Sequence, residues 1–114
     1  MRLESLTLPD DIVQLKLVGR LDRAGTDQIS GFFSLATARR GKFIVDLSGV
    51  SFLTSMGIRL LMTCAKAQMN HGGELILAAP HPQIREIIEA SGIDQFVKLT
   101  VDVESAIANL SGAV

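Results

Sequence analysis

At 114 residues, with 47% hydrophobic and 20% charged residues, the chain has room for a single domain over residues 1–114 with a real core, and its composition is globular rather than disordered. A formal net charge of −1 leaves no basic footprint for nucleic acid, and the longest nearly apolar run falls far short of the roughly 20 residues of a membrane span. With no signal-peptide core in Met1-Arg2-Leu3-Glu4, the expectation is a cytoplasmic protein with no direct nucleic-acid partner.

Leu3 to Leu8 and Ile12 to Val18 read as two strands separated by the turn-forming Pro9-Asp10-Asp11, and so as a hairpin. In the second strand Val13, Leu15 and Leu17 alternate with Gln14 and Lys16, which predicts one buried and one solvated face. Gly19-Arg20-Leu21-Asp22 ends it. Thr26 is a credible N-cap for a helix carrying Ile29, Phe32, Phe33 and Ala36 on one side, closed by Gly41. Asp22 itself can cap a turn.

Phe43-Ile44-Val45 is β-favouring and unbroken by polar residues, as in a central strand covered on both faces. A turn over Asp46-Leu47-Ser48-Gly49-Val50 and a loop from Ser51 lead to a long helix. Ser55 or Thr54 stands at its start, where a side-chain oxygen can accept from free backbone N–H groups. Ile58, Leu61, Met62, Ala65 and Met69 form its apolar stripe, opposite Arg59, Thr63, Lys66 and Asn70. The single Cys64 cannot form an internal disulfide and falls near the apolar side, so it is expected in the core.

His71-Gly72-Gly73 breaks the chain before a buried strand over Glu74 to Ala79. Pro82 suits the first turn of a third helix with Ile84, Ile87 and Ile88 inward and Gly92 past its end. Phe96 to Leu99 suggests a last short strand, and Asp102 can cap a final helix with Val103, Ala106, Ile107 and Leu110 on its apolar side. Residues 111–114 are expected to fray. A hairpin followed by alternating helices and strands predicts an α/β fold: a mixed β-sheet with an N-terminal β-hairpin and about four packed helices.

The residues carry little chemistry. His71 and His81 lie in connections away from any cysteine or acidic cluster at ligand spacing, so no metal site is expected. No phosphate-binding Gly-rich loop, dinucleotide fingerprint or Gly-x-Ser-x-Gly elbow is present, so no cofactor and no catalytic residue is expected. A hydroxyl at the start of a helix sits in a local field that tolerates added negative charge, which makes the Thr54-Ser55 pair a plausible phosphorylation site.

Val45-Asp46-Leu47-Ser48-Gly49-Val50 followed by Thr54-Ser55-Met56-Gly57-Ile58-Arg59-Leu60-Leu61 resembles the signature of STAS domains, specifically the single-domain bacterial anti-sigma factor antagonists. The likeness continues through Gly73-Glu74-Leu75 and Ile84 to Ile88 as far as Ser91-Gly92. It implies a STAS-like mixed sheet and a non-enzymatic, phosphorylation-switched binding module. Unphosphorylated, such a protein sequesters an anti-sigma factor with serine kinase activity and frees a sigma factor; a serine phosphatase resets it. The family serine matches Ser55, with Thr54 in the place of the usual Asp and as the alternative acceptor. The resemblance implies a partner-binding surface of Gly19, Leu21 and Asp22 with Ser51, Phe52, Thr54, Ser55, Met56, Gly57 and Arg59. The other role compatible with the fold is a STAS accessory subunit of a lipid-transport ATPase or a stress-signalling scaffold.

Overall fold

The computed structural model describes residues 1–111; Gly112, Ala113 and Val114, where fraying is predicted, lie outside the described residues. Arg2–Leu8 (β1) and Ile12–Leu21 (β2) form the expected hairpin, paired antiparallel from Arg2 opposite Val18 to Leu8 opposite Ile12. The connection is one tight turn, with Asp10 and Asp11 at φ 65° and 59°, a left-handed conformation that aspartate tolerates. There follow Arg23–Ala36 (α1), Lys42–Leu53 (β3), Ser55–His71 (α2), Glu74–Ala78 (β4), Pro82–Ser91 (α3), Lys98–Thr100 (β5) and Val103–Ser111 (α4). The sheet runs β1-β2-β3-β4-β5, and every pair after the hairpin is parallel.

Alternation along the strands sorts the core into two layers. Leu15, Val45 and Leu77 stand in one cross-strand row and pack, with Ile29 and Phe33 of α1, Leu61 and Cys64 of α2 and Ile84 and Ile88 of α3, into the larger cluster. Ile12, Ile44, Ile76 and Ala78 face the other way, against Ala106 and Leu110 of α4. One helix thus covers what three cover opposite. Each fully buried Leu, Ile or Val side chain among these contributes on the order of 1.5 to 3 kcal/mol of transfer free energy.

Several expectations shift. β2 continues past Val18 to Leu21, and β3 continues past Val45 to Leu53, so Asp46-Leu47-Ser48-Gly49 is extended strand rather than turn. Pairing overrides the local turn chemistry: Val18 meets Gly49 and Leu21 meets Leu53, with register shifts between Lys16 and Val18 and between Gly19 and Arg20 that absorb the mismatch. Helix α1 is capped by Asp22, whose side chain accepts from the Gly25 N–H at 2.8 Å, while Thr26 lies buried inside the first turn. Thr37, not Gly41, ends that helix. Its inward stripe is Gly25, Thr26, Ile29 and Phe33, which leaves Phe32 at 72% exposure and Ala36 exposed as well. In α2, Gln68 is fully buried and Met69 is exposed, the reverse of the apolar pattern. Phe96 ends a short helical turn and is exposed; the last strand starts two residues later.

The sheet has two edges. On β1 Arg2 and Glu4 pair at 2.7 Å, and β5 is only three residues long.

Candidate functional site

Strands β2 and β3 end side by side, and both helices that follow them, α1 and α2, begin there. This is the carboxyl end of a parallel pair, where α/β sheets characteristically present their binding groups. Thr54 occupies the N-cap of α2 with extended backbone, but its side chain does not cap. Instead both its N–H and its Oγ1 donate to the Leu21 carbonyl, each at 3.0 Å. Thr54 therefore ties the start of α2 to the end of β2, and its hydroxyl is engaged and half-buried.

Ser55, at the first helical position, is exposed, and no hydrogen bond engages its hydroxyl among the described residues. It is not the helix cap that the sequence allows it to be. The first intrahelical bond runs from Ile58 N–H to the Thr54 carbonyl, so the N–H groups of Ser55, Met56 and Gly57 have no partner within the helix. A helix start of this kind favours negative charge.

Around Ser55 stand Met56 at 37% and Phe52 at 40% exposure, with Arg59 exposed one turn along the helix. Ser51 and Phe52 belong to β3 rather than to an approach loop. The Ser51 hydroxyl donates to the Gly19 carbonyl at 3.4 Å, and Gly19 sits at φ 122° beside the bulge. Asp22 is half-buried and leads from β2 into α1. The Gly25 N–H it accepts, and next the neighbouring Arg20, hold its carboxyl below the ordinary value of 3.8.

Two of the expected recognition residues are not on the surface. Leu21 is fully buried, and Gly57 is buried at the point where α2 crosses β2. A Cβ at Gly57 would stand 2.9 Å from Leu53 Cδ1 and 3.0 Å from both Leu21 Cβ and the Leu21 carbonyl oxygen. Only glycine lets the helix come this close, so Leu21 and Gly57 aim the site from beneath rather than form its face. Arg20, absent from the expected set, joins that face. Its guanidinium lies 4.2 Å from the centre of the Phe52 ring and bonds Asp22 Oδ2 at 3.2 Å. Arg20 pairs with Phe52 across 32 residues of sequence, so only strand register reveals the contact.

The face is thus a mixed apolar and charged patch with one free hydroxyl at its centre. Among the described residues no group of three or more His, Cys, Asp or Glu side chains could hold a metal ion, and no helix is long and apolar enough to cross a membrane.

A STAS domain model matches residues 5–106. The chain belongs to the STAS family. It is 28% identical over 106 residues to the anti-sigma F factor antagonist of Lysinibacillus sphaericus, over 91% of this chain and 90% of that one. Among solved structures, the anti-sigma factor antagonist SpoIIAA in its unphosphorylated form matches with a TM-score of 0.79 and 25% identity, over 99% of both chains. SpoIIAA of Bacillus in the phosphorylated form matches with a TM-score of 0.70 and 24% identity, over 96% of this chain and 99% of that one. The five-stranded mixed sheet with four helices is the STAS fold. STAS antagonists of this kind are regulatory binding proteins, not enzymes.

Proposed function

We propose that this protein is an anti-sigma factor antagonist acting in the cytoplasm and switched by phosphorylation at Ser55. Unmodified, it docks the patch around Ser55 on an anti-sigma factor with serine kinase activity and thereby frees a sigma factor; phosphorylated by that partner it is released, and a serine phosphatase restores it. The likeness to named anti-sigma factor antagonists over nearly the full length supports the partner class.

The observation that carries the choice of residue is the contrast between adjacent hydroxyls. The Thr54 hydroxyl donates a hydrogen bond to the Leu21 carbonyl in a half-buried position, whereas Ser55 is exposed among Phe52, Met56 and Arg59. A phosphate on Ser55 would add about −1.5 to −2 charges. The free N–H groups at the start of α2 and Arg59, four residues on, can accommodate that charge, so the fold survives. In a docked interface with apolar Met56 and Phe52 the same charge must be desolvated, and the complex does not survive. Incubation with the cognate anti-sigma kinase and ATP should add one phosphate at Ser55, read by mass spectrometry, and Ser55→Ala should abolish it. Modification confined to Thr54, or none with an active partner, would overturn the reading.

A further inference from the structure

At the opposite end of the sheet, α1 stops at Ala36, before the row formed by Thr7, Val13 and Phe43 on β1, β2 and β3. The uncovered sheet face there becomes the floor of a cleft of about 650 Å³. Its rim holds Arg39, Arg40 and Lys42, three exposed cations in four consecutive positions. None of them forms an ion pair among the described residues. On a chain whose formal net charge is −1, this concentrates positive potential in one concavity. One carboxylate, Asp11, also lines it, so the cations outnumber the anion three to one. The adjoining depression of about 420 Å³ shares Asp11, Arg40 and Lys42 but adds Asp10 and Glu74, so there the carboxylates outnumber the cations three to two.

The segment carrying these cations is held rigidly. Gln68, fully buried in α2, donates from Nε2 to the carbonyls of Thr37 and of Arg39, the latter at 2.7 Å, and accepts from the Gly41 N–H at 3.0 Å. A buried amide with three bonds to one five-residue connection is a costly way to hold an ordinary loop, because any unmade bond would leave a buried polar group exposed to no water. It also occupies two carbonyl oxygens that would otherwise add negative potential beside the cations. The backbone bearing the arginines is therefore set before any ligand arrives, which lowers the ordering cost of binding.

We propose that this cleft binds a small organic phosphate. Arg39 and Arg40 offer planar forks that match phosphoryl oxygens, and Lys42 adds a point charge. The Ser5 and Thr7 hydroxyls stand on the floor for polar groups of the ligand body, and Val13 supplies apolar contact between them and Phe43. The volume is that of a small-molecule site. The cleft lies at the end of the sheet away from Ser55 and is independent of the phosphorylation reading.

Pyrophosphate is a suitable probe, titrated into the intact, unphosphorylated protein at constant ionic strength and followed by amide NMR shifts. Saturable shifts are expected in the 39–42 segment and at Ser5 and Thr7, and the Arg39→Gln/Arg40→Gln double variant should weaken binding at least ten-fold with an unchanged melting temperature. Arg59→Gln, beside Ser55, should leave pyrophosphate affinity unaltered. The proposal is overturned if shifts are linear and reproduced by chloride, if the double variant binds as tightly as the parent, or if the response centres on the start of α2 and is lost with Arg59→Gln.

Discussion

At the scale of single residues the site turns on which hydroxyl is free. Capping chemistry alone makes both Thr54 and Ser55 candidates, and the resemblance favours Ser55; in the fold one carbonyl separates them, that of Leu21, which lies 33 residues away and accepts the Thr54 hydroxyl hydrogen bond. No local pattern announces that bond. Arg20 was hidden for the same reason: its contact with Phe52 is assigned by strand pairing, whereas Ser55, Met56 and Arg59 were implied by the family resemblance at the start of a helix that spacing makes legible. The free hydroxyl has a testable corollary. Ser55→Asp places a carboxylate against unpartnered N–H groups, which should stabilise the fold by roughly 0.3 to 1 kcal/mol at low salt. In the docked complex that carboxylate loses water without gaining a partner, so affinity for the anti-sigma factor should fall ten-fold or more, the factor that about 1.4 kcal/mol represents. Thermal melts and calorimetric titrations read the two quantities separately. An unchanged affinity would remove Ser55 from the interface.

At the scale of elements, most starts and stops were legible because they are written in local chemistry. Pro82 opens α3, Gly92 closes it at φ 81°, and Asp102 caps α4 by accepting from the Ser105 N–H at 2.7 Å. The errors fall where two local signals compete or where tertiary pairing intervenes. Asp22 and Thr26 are both capping residue types four positions apart, and the chain uses the first. Gly49 and Ser48 look like a turn, yet β2 holds them extended. Gln68 looks like surface, yet it satisfies the α1 to β3 connection, a demand no helical periodicity can encode.

The caps also titrate. Asp22, through the Gly25 N–H and then Arg20, and Asp102, through the Ser105 hydroxyl and N–H, both have carboxyls held below the ordinary 3.8. A folded-state value below the unfolded one stabilises the protein at all pH above the unfolded value, and that stabilisation fades as pH falls from there through the folded value. Melting temperature should therefore drop as pH is lowered below about 4. The Asp22→Asn/Asp102→Asn variant keeps two capping oxygens but cannot titrate, so its profile should be flatter over that range. Parallel slopes for parent and variant would mean that other groups control the acid limb.

At the scale of the whole molecule, the sheet is asymmetric in a useful way. Its carboxyl end carries the patch around Ser55, its amino end carries the cationic cleft, and α2 runs from Ser55 at one to Gln68 near the other. The same sheet leaves two edges unpaired, and each is guarded differently. β5 offers only three residues, too few to template a neighbour, while the seven-residue β1 carries Arg2 and Glu4 among its leucines. Arg2→Val/Glu4→Val would make one face of that edge strand, at positions 2, 4, 6 and 8, apolar along its whole length, with Leu6 already exposed. Light scattering over a concentration series should show assembly of the variant where the parent stays monodisperse; a monodisperse variant would assign edge protection elsewhere. On the proposed function the antagonist acts by occupying its partner, so the number of free molecules is what counts. Under the same proposal, self-association at β1 would subtract molecules from that number as phosphorylation at Ser55 would, but with no phosphatase able to return them. On this view two charged residues far from Ser55 help set the dose at which the switch responds.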